Sequence, residues 1–158
     1  MYNYSFAQWL LFFFIYCFLG WVWESSYVSI KKGKWVNRGF LHGPMLPIYG
    51  SGAVMVLLAT IPVRDSLPLV FVFGMIAATI LEYCTGEVME ALFHVRYWDY
   101  SKHKFNVKGH ICLECSIAWG FFSVLMIRVI HLPMERLVMA IPEALEQIMT
   151  FLLTATMA

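Results

Sequence analysis

Glu82, Glu87 and Glu90 stand close together in a 158-residue chain of which only 13% is charged. At about 100° per residue, Glu87 lies roughly 140° and Glu90 roughly 80° round a helix from Glu82, so the three carboxylates project within one arc. Carboxylates grouped in this way can hold a polar solute, carry a proton or act as acid and base. Groups that could work with them follow directly. Arg96-Tyr97-Trp98-Asp99-Tyr100 supplies a cation, a carboxylate and aromatic donors, and Asn106 stands a few residues on. From Glu82 to Gly120 the chain holds five of its ten carboxylates, three of its five histidines and three of its four cysteines.

A second polar stretch carries the same residue types. Glu24 follows Trp23 at the end of an apolar run, and Asn37-Arg38-Gly39 opens GFLHGPMLPIYGSG. Glycines there let backbone N–H groups converge, and a helix start adds partial positive charge, so an anionic group could be held beside Arg38. Arg38 could equally form a structural pair with a glutamate. His110, Cys112, Glu114 and Cys115 have donors suited to a soft metal, but one CxxC without a second pair does not make a zinc site, and cysteine also serves as a small apolar filler. We therefore expect neither a metal nor another cofactor. His42 reads as a hydrogen-bonded structural histidine.

The elements that position these groups follow from composition. With 61% hydrophobic and 17% aromatic residues, the chain reads as a single integral membrane domain, residues 1–158. Nucleic acid is excluded as a partner, because the few Lys and Arg sit between apolar spans. Residues 1–23 carry no charge, so the first segment lacks the basic start of a signal peptide and reads as a permanent span. About 20 apolar residues cross a hydrocarbon core. Spans are expected at 5–23, 48–63, 68–93 and 112–130, with His131-Leu132-Pro133 ending the last, and a short or tilted amphipathic fifth helix at 135–158. The fold class is thus all-α, a polytopic helical bundle. The segment from Gly39 to Pro47 is too rich in Gly and Pro for regular helix and is expected as a folded or re-entrant loop.

Lys31, Lys32, Lys34 and Arg38 follow span one, and Arg96, Lys102, Lys104 and Lys108 follow span three, against Arg64, Arg128 and Arg136 elsewhere. That asymmetry predicts a multi-pass protein of the cell membrane with its N-terminus outside and both long loops cytoplasmic. The loops also resemble each other. Lys34-Trp-Val-Asn-Arg-Gly39-Phe-Leu41 sets a basic residue, an aromatic, an Asn, a second basic residue and a Gly in nearly the order of Lys104-Phe-Asn-Val-Lys-Gly109-His-Ile111. This fits either a two-fold helix–loop–helix pseudo-repeat or two interfacial loops drawing on the same residue types.

GWVWESSYVSIKKGKWVNRGFLHGPMLPIYGSGAV, LEYCTGEVMEALFHVRYWDYS and KFNVKGHICLECSIAWG together resemble the bacterial putative ABC-transporter type IV (CmpB-like) family, a pattern shared by distant vertebrate multi-span proteins. The resemblance covers about Gly20 to Gly120, and its most specific segments are NRGFLHGP and WDYS. It implies a transport permease and carries over Glu24, Asn37, Arg38, Glu82, Glu90, Arg96, Trp98, Asp99, Tyr100 and Asn106. Further positions carried over are Gly39, Gly43, Pro44, Pro47, Tyr49, Gly50, Gly109 and Trp119. No nucleotide-binding motif occurs, so an ATPase would be a separate subunit, and a homo-oligomer is expected alongside the lipid bilayer as partner.

The leading expectation is a small permease-like protein, not an enzyme, with a cytoplasm-facing polar cavity for a polar or anionic solute or lipid head group. Glu24, Asn37, Arg38, Glu82, Glu87, Glu90, Arg96, Trp98, Asp99, Tyr100 and Asn106 are its candidate binding residues. Two other readings stay open. One is a membrane-embedded enzyme acting on lipid or isoprenoid phosphates, and it requires arginines and carboxylates to converge on an opening. The other is a non-catalytic accessory subunit. No Ser-His-Asp order, Walker loop, HExxH or Rossmann fingerprint is present.

Overall fold

In the computed structural model, residues 4–39 and 43–157 are described; His42 lies outside them. The fold is helical: α1 (Phe6–Lys32), α2 (Pro47–Thr60), α3 (Leu67–Phe93), α4 (Leu113–Leu125), α5 (His131–Met139) and α6 (Glu143–Met157), with a ribbon of β1 (Asn106–Val107) and β2 (Ile111–Cys112). Three helical rods are long and apolar enough to cross a membrane: Phe6–Lys32, Leu67–Phe93 and Leu113–Met139, of 27 residues each. The helix expected at 48–63 exists as Pro47–Val63, but it is shorter than these. The chain divides into two compact units, Met1–Val54 with Leu132–Ala158, and Met55–His131.

In the first unit, α1 starts at a capping box, in which Ser5 and Gln8 each accept the other's backbone N–H. It does not stop at Glu24, as the apolar run suggested. It continues to Lys32 and ends on Gly33 at φ 62°, where Lys31 and Lys32 complement the last carbonyls. Leu11, Phe12, Phe14, Tyr16 and Cys17 bury the inner face of α1. In α6, polar residues turn inward and apolar ones outward: Glu146 and Thr150 are buried, whereas Leu145, Ile148, Phe151 and Leu152 are exposed. Gln8 Nε2 of α1 donates to Glu146 at 3.0 Å, which gives the buried carboxylate its partner. An apolar outer face over a satisfied polar inner face suits a lipid surround. At 15 residues, α6 is only about 22 Å long, short of a crossing.

In the second unit, α3 begins after Ser66 with Pro68 in its first turn and ends on His94 at φ 53°. It pairs antiparallel with α4, since Glu82 meets Trp119 while Gly74 lies against Ser123. The expected stop at His131-Leu132-Pro133 is corrected: the rod runs on to Met139. Pro133 cannot donate to the preceding turn, and a π-helical turn at Met126–Ile130, just before it, absorbs the mismatch without ending the helix.

Candidate functional site

The first unit ties its loop to α1 through Glu24. One oxygen of Glu24 accepts from Arg38 Nη2 at 3.1 Å and Nε at 3.3 Å, and the other accepts the Tyr49 hydroxyl at 2.6 Å. Ser25 Oγ accepts the Arg38 backbone N–H at 3.1 Å, and Ser29 Oγ accepts that of Val36 at 2.9 Å. Asn37 Oδ1 takes the Trp21 indole N–H at 2.6 Å and the Gly39 N–H at 2.9 Å. Gly39 leaves no room for a side chain, because a Cβ there would overlap the Gly43 carbonyl. Leu46 N–H reaches the Cys17 carbonyl at 3.0 Å, so the described end of the Gly/Pro segment is held by protein groups.

The second unit separates its three glutamates. Glu82 meets no arginine; it accepts from Tyr100 Oη at 3.1 Å and from Trp119 Nε1 at 3.1 Å. Glu87 accepts from Lys108 Nζ at 2.7 Å. Glu90 takes Arg96 Nη2 at 2.8 and 3.0 Å, while Arg96 Nη1 lies 3.4 Å from Asp99. Buried His110 sits between two of them, its Nε2 3.2 Å from Glu90 and 3.6 Å from Glu87. Gly86 makes room for it, since a Cβ there would strike the imidazole.

Around this chain of charges the loop is held by its own polar groups. Trp98 Nε1 donates to the His110 carbonyl at 2.8 Å, and Asn106 donates to the Ser101 and His103 carbonyls while accepting the Gly109 N–H. Lys108 and Gly109, at φ 51° and 74°, form the turn between β1 and β2, closed by His110 N–H on the Val107 carbonyl. Local partners shift the loop's titrations. The Ser101 hydroxyl and N–H, followed by Arg96, hold Asp99 below the usual carboxylate range. Hydrogen bonds to Glu90 and to Glu87 hold Arg96 and Lys108 above theirs, and burial followed by the Glu82 charge pushes Tyr100 up.

Glu87, Glu90, His94, Arg96, Lys108 and His110 line an open groove of about 500 Å³. Each cation in it keeps spare donors, because Lys108 has three N–H groups and Arg96 five. Of the candidate residues, Glu24, Asn37 and Arg38 make a network within the first unit, and Glu82, Glu87, Glu90, Arg96, Trp98, Asp99, Tyr100 and Asn106 belong to the second. Lys108 and His110, outside the set that residue type marks for binding, also line the groove. Their signal in the sequence was the KGH that follows Asn106. Cys112 and Cys115 stand together, their Sγ atoms 2.8 Å apart, and among the described residues no group of three or more His, Cys, Asp or Glu side chains could hold a metal ion. Cys112 instead caps α4, its Sγ accepting the Cys115 N–H at 3.3 Å.

Three apolar rods of membrane-crossing length, with polar networks near their ends, mark a membrane protein. The chain belongs to the putative ABC-transporter type IV family, whose model matches residues 11–158. No curated protein and no solved structure matches it.

Proposed function

We propose that the chain is a small multi-pass permease-like subunit of a cell-membrane transport system, and that the groove of the second unit receives an anionic group of a solute or lipid head group. The observation that carries this reading is the groove itself: it is open, and it is lined by two cations with unused donors beside two histidines. Glu87 and Glu90 hold those cations in place and would be partly displaced by a bound anion. With no nucleotide-binding motif in the chain, the ATP-hydrolysing component is a separate subunit, and a second copy would complete the pathway. Both polar loops face the cytoplasm, by their excess of Lys and Arg.

The enzyme reading has less support. Glu24, Glu82, Glu87, Glu90 and Asp99 each already accept from a donor, and Arg38 and Arg96 are each held by a carboxylate, so these groups are engaged in local pairings of their own. The test is binding of inorganic phosphate and of glycerol phosphate to the full chain in mild detergent, by calorimetry. Wild type and Arg38→Gln should bind equally, and Arg96→Gln/Lys108→Gln should lose at least about tenfold in affinity, of the order expected when charge-assisted bonds are removed. Equal binding by the double variant, or none by wild type, removes the groove as the site.

A further inference from the structure

We infer that the two units contain two copies of one helix–loop–helix module, each closed by the same latch. The contacts, more than the sequence, carry this. In the first unit Tyr49, on the second helix, donates to Glu24 of the first, and its neighbour Gly50 is pressed against Cys17 and Phe13. In the second unit Trp119 donates to Glu82, and its neighbour Gly120 is pressed against Phe71. Phe13 stands eleven residues before Glu24 and Phe71 eleven before Glu82, three helical turns, which sets both pairs on one stripe. Tyr49 and Trp119 each follow the loop glycine, Gly39 or Gly109, by ten residues, and each glycine gives its N–H to an asparagine just upstream. The loops differ in length, so one register of contacts has been kept on either side of an insertion. Interfacial composition favours Lys, Gly and aromatics, but it does not dictate which of them touch or how far apart they stand.

Tyr49 and Trp119 are then equivalent positioning residues: each supplies the donor that fixes its module's carboxylate and with it the mouth of the loop. The experiment exchanges donors in the full chain and reads the monodisperse fraction in mild detergent. Tyr49→Trp and Trp119→Tyr should retain most of it. Tyr49→Phe and Trp119→Phe, which keep the ring and lose the donor, should both lower it, as should Gly50→Val and Gly120→Val. Duplication is overturned if one site accepts Phe or Val and its counterpart does not, or if the exchanges behave like the Phe variants.

A different observation carries a second inference. Arg38, Arg96 and Lys108 are paired with carboxylates, whereas Lys31, Lys32, Lys34, Lys102 and Lys104 are exposed and make no ion pair among the described residues. Beside them Trp35 and Phe105 are 68% and 79% exposed, and Phe105 is held outward at φ 53°. We propose that each loop tip docks anionic phospholipid head groups: the lysines meet phosphate and the ring enters the interface. Spin-labelled phosphatidylglycerol should associate with the full chain in phosphatidylcholine vesicles at least about twice as strongly as labelled phosphatidylcholine. Changing the five lysines to Gln should abolish that preference, and changing the same five to Arg, which keeps the charge, should retain it. No preference in wild type, one that survives the changes to Gln, or one lost with the changes to Arg, overturns it.

Discussion

Trp119 gives its indole N–H to Glu82 at 3.1 Å across the α3–α4 pair, while Tyr100 reaches the other oxygen of the same carboxylate from the loop. A single side chain thereby joins two helices and the loop that connects them.

Removing one donor should be costly. Trp119→Phe leaves part of Glu82 unsatisfied in a poorly hydrated place and should reduce stability by about 1–3 kcal/mol. Glu82→Gln, which still offers an oxygen, should cost less. Thermal unfolding in mild detergent, followed by circular dichroism, ranks the two, and the reverse order would contradict the role given to the indole.

Gly20 lies under the ring of Tyr49, and a Cβ there would overlap it. Gly20→Ala should lower stability by about 1–3 kcal/mol through displacement of that ring. Gly33 has open space around it but a left-handed backbone, so Gly33→Ala should cost about 1 kcal/mol and Gly33→Asn less. The same unfolding assay separates steric from conformational cost.

Cys112 acts as a helix cap. Cys112→Ser keeps an acceptor for the Cys115 N–H and should leave unfolding nearly unchanged, whereas Cys112→Ala should lower stability by about 1 kcal/mol. Equal loss in both would mean that the thiol matters as filler.

Asp99 has its ionisation favoured in the folded loop, first by Ser101 and then by Arg96. A lowered folded pKa contributes stability above the unfolded value of about 3.9 and loses it as pH falls through the folded value. The 99–101 turn should therefore open below about pH 4, and protection of the Ser101 amide against hydrogen exchange, relative to its intrinsic rate at each pH, should fall there in wild type. Asp99→Asn should show no such acid step. Because these groups are exposed, added salt should weaken the Arg96 share.

Much of the architecture was legible in the sequence because a bilayer constrains it so tightly. Scarce charge and runs of about 20 apolar residues marked α1, α3 and α4, and Pro68 marked a helix start. Local signals failed where a neighbour overrode them. Glu24 ended an apolar run but not its helix, because Arg38 and Tyr49 satisfy its carboxylate and let α1 continue. Pro133 ended nothing, because a π-helical turn before it relieved the clash.

For the site, residue type alone concentrated attention on Glu24, Arg38, Glu82, Glu87, Glu90 and Arg96, since charge next to lipid is expensive unless it is used or paired. Which cation meets which carboxylate was decided only by tertiary structure. Three glutamates on one helical arc acquire three different partners, because α4 brings Trp119 to Glu82, the β turn brings Lys108 to Glu87, and the loop folds Arg96 back to Glu90. Sequence spacing gives a direction around a helix axis; the partner at the end of that direction comes from a segment tens of residues away.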